Sequence, residues 1–388
     1  MSSVGEARVH EAEWKGKGVT LDQVLDQLTR LRLELVEPAP HDYNLPHARN
    51  SVMNLVAVAG DAELVRRAAA TGEELGAQHP SRTIIIHPVA GGASNIDASV
   101  RTHAHNLLAG VPIQYEEIRL EVRGDPANYL YSLVEPFLLP DVRTHLWWLG
   151  TPLWESETFR EVLPHADTLV VDSGHFERPY ASFLALARAE DTMHEPQAVA
   201  DFQWSRLKPW REAIAQVFAP SDRRVFLRGV KSIELDYTGR DRGNRVRAAL
   251  LAGWLIRSLR LRLRNVVGEG DDRAKAIYRY PGGGEVLVSE RSVDDGKTGP
   301  GRVGGVRIEA AADGRRCRLE LARDPDELER AVLSLQIDGA SVLRHDVRLY
   351  LATAPDSVLM SDVLMWGRRD PVYLSSMTAA AGFLSAFD

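Results

Sequence analysis

Several short clusters in this chain hold side chains that could do chemistry. Asp172-Ser173-Gly174-His175 brings together the residue types of a nucleophile–base–orienter triad. A triad, however, takes its members from separate elements that converge in space, and sequence neighbours do not converge. The segment therefore reads better as a strand-end turn with local Asp and Ser hydrogen bonds. Gly299-x-Gly301-x-x-Gly304 matches the dinucleotide fingerprint letter for letter. That fingerprint works by delivering glycines from a strand to a helix N-terminus that holds pyrophosphate. Here a polar loop precedes the glycines, a Pro interrupts them, and the strand-like VRIEA follows. Gly296-Lys297-Thr298 resembles the end of a P-loop, but Arg291 stands where its first Gly belongs. His103-x-His105 could hold a metal from a strand, yet the segment Val100–Leu108 reads as a short helix, on which the two rings diverge. No metal and no cofactor is expected from these motifs.

Four clusters carry more. Ser81 and Arg82, in HPSR between a helix and a buried strand, could clamp a phosphate or carboxylate, Arg82 bidentately. The plainer alternative is an Arg82 paired to a structural carboxylate. Trp204, Arg206, Trp210 and Arg211 form a second group, in which Arg206 and Trp210 are four apart and could stack on one helix face. Lys208-Pro209 breaks that helix, with Pro209 opening the next. Between Arg240 and Arg264 lie eight arginines, Arg245, Arg257 and Arg260 among them, around a helix whose Val246, Leu250 and Trp254 share a face. Such basic amphipathic helices bind membranes, nucleic acid or acidic proteins. Finally, LLPDVRTHLWWLG, Leu138–Gly150, ends a strand-like run in Trp147-Trp148. Neighbouring strand side chains point to opposite faces, so one indole is core and the other meets a second layer, a ligand or a partner.

Bulk properties narrow the classes. A net charge of −7 and an isoelectric point near 6.0 argue against nucleic-acid binding. No apolar run reaches the roughly 18 residues of a membrane span, and the polar N-terminus lacks a signal-peptide core, so the expected location is the cytoplasm. The single cysteine, Cys317, lies in the alternating RRCRLELA and reads as a packed strand residue. One cysteine forms no internal disulfide.

These clusters are positioned by alternating elements. Thr20 to Gln23 fits a capping box opening a first amphipathic helix, and Pro38–His47 is a linker by its prolines. Strand-like runs then alternate with helical ones: Val52–Ala59, Thr83–His87, a third strand Gln114–Val122 placed near an edge, Thr144–Trp148 and Thr168–Val171. Such alternation predicts an α/β domain with a mostly parallel sheet. After about Arg178 come helices, an extended run Arg224–Tyr237, and then closely spaced alternating segments with tight turns at PGGGE and ADG. This predicts an α+β C-terminal domain with an antiparallel sheet, closed by helix over Ser361–Phe387. The expected division is 1–47 for the N-terminal helix and linker, 48–178 for the α/β domain and 179–388 for the α+β domain. Asp294–Gly305 reads as a Gly-rich loop.

Beyond these patterns, ARNSVMNLVAVAG, HPSRTIII, the LLPDVRTHLWWLG block, ADTLVVDS, DFQWSRLKPWRE and LLAGWLIRSL occur in that order. Together they resemble the OpcA family, the glucose-6-phosphate dehydrogenase assembly proteins. The resemblance implies a non-catalytic factor that binds glucose-6-phosphate dehydrogenase and favours its active oligomer, within the oxidative pentose phosphate pathway. It does not extend to redox control by disulfide, since only one cysteine is present. The contact candidates on this reading are Trp147, Trp148, Trp204, Arg206, Trp210, Arg211, Arg245, Arg257 and Arg260, with no nucleic acid and no membrane as partner. The alternative is a sugar-phosphate-binding enzyme or sensor built on Ser81 and Arg82.

Overall fold

A computed structural model describes residues 9–35, 51–76, 78–106, 112–192, 197–239, 244–270, 273–293, 297, 299–366 and 369–385. The linker expected at Pro38–His47 lies outside these residues. The chain divides into two compact units, one comprising Met1–Val171, Met193–Ala200 and Pro355–Met365, the other Asp172–Thr192, Asp201–Ala354 and Trp366–Asp388.

The first unit is built on an eight-stranded sheet. Its strands are β1 (Val9–Gly16), β2 (Met53–Ala59), β3 (Ser81–Val89), β4 (Asn95–Asn106), β5 (Pro112–Arg123), β6 (Arg143–Leu149), β7 (Thr168–Val171) and β8 (Ala198–Asp201). Their order is β1-β4-β5-β3-β2-β6-β7-β8. The pairs from β5 through β3, β2 and β6 to β7 are parallel, while β1–β4 and β4–β5 are antiparallel. Every residue of β2 is buried, as expected of a central strand covered on both faces. Helix α1 (Leu21–Leu35) opens on the expected capping box, Thr20 Oγ1 accepting from Gln23 N at 3.3 Å and Gln23 Oε1 from Thr20 N at 3.0 Å. Helix α2 (Ala62–Gly76) packs on β2, β3 and β5. Its Gly72 and Gly76 share a face and press on Tyr115; a Cβ at Gly76 would lie 2.5 Å from that ring. Short helices α3 (Leu130–Val134) and α4 (Glu157–Val162) flank β6 in sequence.

Two expectations fail here. Val100–Leu108, read as helix, falls largely in strand β4, where Ala98, Val100 and Thr102 are buried at period two. The strand Gln114–Val122 is not at an edge, because β4 pairs along the whole of β5. Strand β1 is an element that the sequence reading did not anticipate.

The second unit carries its own eight-stranded sheet. Its strands are β9 (Val230–Thr238), β10 (Arg262–Gly270), β11 (Arg273–Arg279), β12 (Glu285–Val293), β13 (Val303–Ala312), β14 (Arg315–Arg323), β15 (Arg330–Ile337) and β16 (Ala340–Arg348). The order is β10-β11-β12-β9-β13-β14-β15-β16, antiparallel except for the parallel β12–β9 pair. The ADG turn joins β13 to β14 with Asp313 at φ 52° and Gly314 at φ 76°, as a two-residue hairpin requires. Helices α5 (Pro179–Thr192), α6 (Phe202–Arg206), α7 (Lys208–Phe218), α8 (Ser221–Arg224), α9 (Val246–Ser258) and α11 (Pro371–Ser385) complete the unit. Between them α10 (Asp356–Trp366) returns to the first unit, where Arg67 Nη2 reaches Asp356 Oδ1 at 3.1 Å and Ser357 Oγ reaches Glu74 Oε2 at 2.6 Å.

The expected basic amphipathic helix is shorter and more buried than its arginines suggest. α9 has nine buried residues out of 13, and from Arg262 the chain is strand. Gly253 lets α9 touch α11; a Cβ there would lie 2.2 Å from Ser376 O. Overpacking of this kind costs about 1–3 kcal/mol. Gly253→Ala and Gly76→Ala should each lower stability by that order in denaturant unfolding, whereas Gly60→Ala, with nothing within 4 Å, should change it little.

Candidate functional site

The residues that could do chemistry are mostly consumed by the fold. Arg82 is buried; its Nε donates to Glu116 Oε2 at 2.7 Å and its Nη1 to Phe137 O at 2.7 Å. Arg32 of α1 adds its Nε at 2.8 Å from the other oxygen of the same carboxylate. Glu116 is the cross-strand partner of Arg82 in the β3–β5 ladder, so the guanidinium is committed to a structural ion pair rather than held out for a ligand. Ser81 beside it is also fully buried. The clamp built on Ser81 and Arg82 is thereby corrected.

The tryptophans are core. Trp147 and Trp148 are both buried on opposite faces of β6, the strand being covered on both sides, and Trp148 meets Phe159 of α4 edge-on at 5.1 Å. Trp204 and Trp210 are buried too. Pro209 divides the helix expected here into α6 and α7, so the stacking differs from the i, i+4 expectation. Arg211 lies 3.4 Å over the Trp204 ring, whose Nε1 donates to Asp370 Oδ2 at 2.9 Å, and Arg323 rather than Arg206 faces Trp210. Arg245 is buried with its Nε 2.9 Å from Glu290 Oε2. Of the nine contact candidates, only Arg257 and Arg260 are exposed.

Asp172 to His175 does not assemble a triad. His175 Nδ1 meets Asp172 Oδ2 at 2.8 Å, while the Ser173 hydroxyl donates to Asp201 instead. Burial alone would raise Asp172, but the His175 hydrogen bond, Arg206 and Gln203 reverse this and hold it well below the usual carboxylate range. Asp201 is the opposite case. Burial first, and then the Asp172 charge, push it up to about 6, against hydrogen bonds from Ser173 and the Gln203 backbone. Its Oδ1 accepts from Gln203 N at 2.9 Å, capping α6. Neither Asp201 nor Gln203 was singled out in the sequence; the Asp-Phe-Gln start of a helix was the available signal.

The helix N-terminus after β2, where a dinucleotide-binding sheet would hold phosphate, is occupied by the chain itself. Asp61 Oδ1 accepts from Glu63 N and Leu64 N, each at 2.8 Å. A phosphate there would face a carboxylate at the amides it needs. The glycines 299, 301 and 304 lead into β13 rather than a helix.

What remains open is a surface of the second unit. From the last turn of α9 onward, Arg257, Arg260, Arg262 and Arg264 are exposed, and edge strand β10 displays Leu263 and Val267, 46% and 52% exposed. Arg260 adopts φ 55°, turning the chain from helix into strand. A pocket of about 520 Å³ opens beside it, lined by Arg228, Ser258, Arg260, Tyr280 and the Pro281–Gly283 turn. Edge strand, apolar side chains and a basic rim are the features of a protein-docking surface.

Family models described as the glucose-6-phosphate dehydrogenase subunit N-terminal and C-terminal domains match residues 72–188 and 197–377. The chain belongs to the OpcA family. A Synechocystis protein named OxPP cycle protein OpcA is 30% identical over 194 residues, 48% of this chain and 38% of that protein. The Synechococcus elongatus OpcA is 28% identical over 195 residues, 50% of this chain and 42% of its own length. The matched part thus spans about two-fifths of these OpcA relatives. Among solved structures, a levoglucosan dehydrogenase bound to NADH is similar at a TM-score of 0.47 and 10% identity, over 86% of this chain and 96% of that one. A 3-ketoreductase from Actinomadura kijaniata gives a TM-score of 0.46 at 10% identity with the same coverage. At these values the likeness says nothing about chemistry. Among the described residues of this OpcA member, no helix is long and apolar enough to cross a membrane.

The raised Asp201 gives the buried network a pH signature. A carboxyl whose native pKa of about 6 exceeds its ordinary 3.8 binds its proton more tightly when folded. Its contribution therefore favours folding at pH below about 4 and is lost as pH rises towards 6 and above. Asp201→Asn, which cannot ionise, should remove this term. The stability difference between native protein and variant should shift by on the order of 3 kcal/mol between pH 4 and 7, in the direction of the variant. Denaturant unfolding at several pH values measures it, and a constant difference would refute the assignment.

Proposed function

We propose that this chain is a non-catalytic assembly factor that binds glucose-6-phosphate dehydrogenase and favours its active oligomer, in support of the oxidative pentose phosphate pathway. The observation that carries this reading is the match of two family models, one to each part of the chain, described as a subunit of that dehydrogenase. The engagement of Arg82, Ser173 and the α2 N-terminus supports it, because each of these three candidates is tied to a neighbour within the fold.

To activate, the factor must bind the active form more tightly than the inactive one; equal affinity shifts nothing. Moving an oligomer from 1:99 to 99:1 active takes about a 10⁴-fold difference in affinity. The contact surface on this reading is the end of α9 with edge strand β10. It offers four exposed arginines and two apolar side chains, which fits an acidic, partly apolar face on the dehydrogenase.

The test is co-purification with the cognate dehydrogenase, with oligomer size and catalytic rate followed together. The expected result is a stable complex, a larger active oligomer and a raised rate. Arg257→Glu with Arg260→Glu should weaken binding by about tenfold or more, mainly through slower association. Arg348→Glu on the exposed opposite edge strand β16 should leave it unchanged. Neither complex nor rate change with the native chain would defeat the reading.

A further inference from the structure

Arg206 and Arg247 of the second unit gather at the Asp172 carboxylate, and a third arginine, Arg302, lies within charge range of both. Arg206 ends α6, and its Nη1 lies 3.2 Å from Asp172 Oδ2. Arg247 stands in the first turn of α9 and donates through Nε to Gln203 Oε1, while Gln203 donates in turn to Asp172. Arg302 comes from the loop before β13, held by its backbone N on Thr238 Oγ1 at 3.1 Å. Its Nη1 is buried and has no hydrogen-bond partner among the described residues. The pieces are packed together: Asn244 Nδ2 donates to Gly174 O at 2.8 Å, and a Cβ on Gly301 would lie 3.1 Å from Asn244 O.

The three arginines stand near two buried carboxyls, Asp172 and Asp201, whose oxygens are already engaged by neighbours. Asp172 already receives His175, Gln203 and Arg206. Burial, then the Arg206 charge, drives Arg247 down to about 9, with Arg323 and Arg302 adding to the push; burial and Arg206 lower Arg302 as well. Mutually repelling guanidiniums in a part-buried site are costly unless an anion joins them. Planar guanidinium forks suit the several oxygens of a phosphoryl group. The start of α9, a 13-residue helix, adds its positive dipole end.

We propose that Arg206, Arg247 and Arg302 form a binding site for the phosphoryl group of a small phosphate ester. The site is separate from the Arg257–Arg264 surface and does not depend on the dehydrogenase reading, since its ligand would bind the isolated chain. It also differs from the Ser81–Arg82 clamp, whose arginine is committed to Glu116.

The experiment uses the full chain alone. Melting temperature and calorimetric binding are measured with inorganic phosphate, with a hexose monophosphate, with the parent hexose, and with sodium chloride at matched ionic strength. Phosphate or the hexose monophosphate should raise the melting temperature by a few degrees at about 100 times its Kd, and the hexose and chloride should not. Tighter binding of the ester than of phosphate identifies an ester ligand; equal binding identifies the phosphoryl group alone, and either supports the site. Arg302→Gln should keep or raise the melting temperature without ligand, because it removes an unpartnered charge, and should weaken phosphate binding about tenfold or more. Arg260→Glu should leave phosphate binding intact. The proposal is overturned if no phosphate species binds at about 10 mM, if chloride gives the same shift, or if Arg302→Gln retains full affinity.

Discussion

A charge taken out of water must be answered by another charge or by hydrogen bonds, and the chemistry open to this chain follows from how it meets that demand. In the first unit the clearest answer is one buried ion-pair cluster. Glu116 receives Arg82 and Arg32 together, and Phe137 O takes the remaining direction of Arg82. The pair lies between neighbouring strands β3 and β5, so it serves the sheet. Asn54 extends the same logic, its side-chain amide bonding both N and O of Leu139 and fixing the entry to β6. Trp147 and Trp148 then fill both sides of that strand.

In the second unit the answer is uneven. Arg245 pairs with Glu290 in the interior, but Glu290 Oε1 has no hydrogen-bond partner among the described residues and burial pushes the carboxyl up to about 7, while on the sheet Asp236 accepts from Arg291 and Arg307 at 3.0–3.1 Å. Around Asp172 and Asp201, Arg206, Arg247 and Arg302 lie close enough to repel one another, and Arg302 Nη1 has no hydrogen-bond partner among the described residues. On the phosphoryl-site proposal, this is the charge left for a ligand, as distinct from charge that holds the fold. A third category, the arginines beyond α9, is simply exposed and stands beside an unpaired strand edge, where a partner chain can meet it.

Much of the fold was legible in the residues. Buried runs such as Met53–Ala59 and Thr168–Val171, separated by helical stretches, announce the parallel part of the first sheet. Short alternating segments with positive-φ turns announce the antiparallel second one. What was hidden has physical causes. β1 alternates between exposed and half-buried positions and β4 between half-buried and buried ones, but Val100–Leu108 reads as helix in the sequence and β1 lies in a polar N-terminal stretch. The Arg245–Arg264 segment reads as basic from its ends, although its centre packs Gly253 against α11. The tryptophans attract attention by type, but type does not report burial. The Asp172 network draws on residues 172, 201, 206, 247 and 302, whose spacing encodes nothing until the fold brings them together. Family resemblance was legible because its blocks are contiguous, mostly elements of these cores.

In the proposed function the chain grips a dehydrogenase through the exposed end of α9 and strand β10 without transforming a substrate. Hydrogen–deuterium exchange of the chain, with and without the cognate glucose-6-phosphate dehydrogenase, addresses it most directly. The account predicts slowed exchange over residues 257–267 and at the 280–283 turn when the enzyme is present. Protection confined to the first unit or to β16, with none at β10, would contradict it.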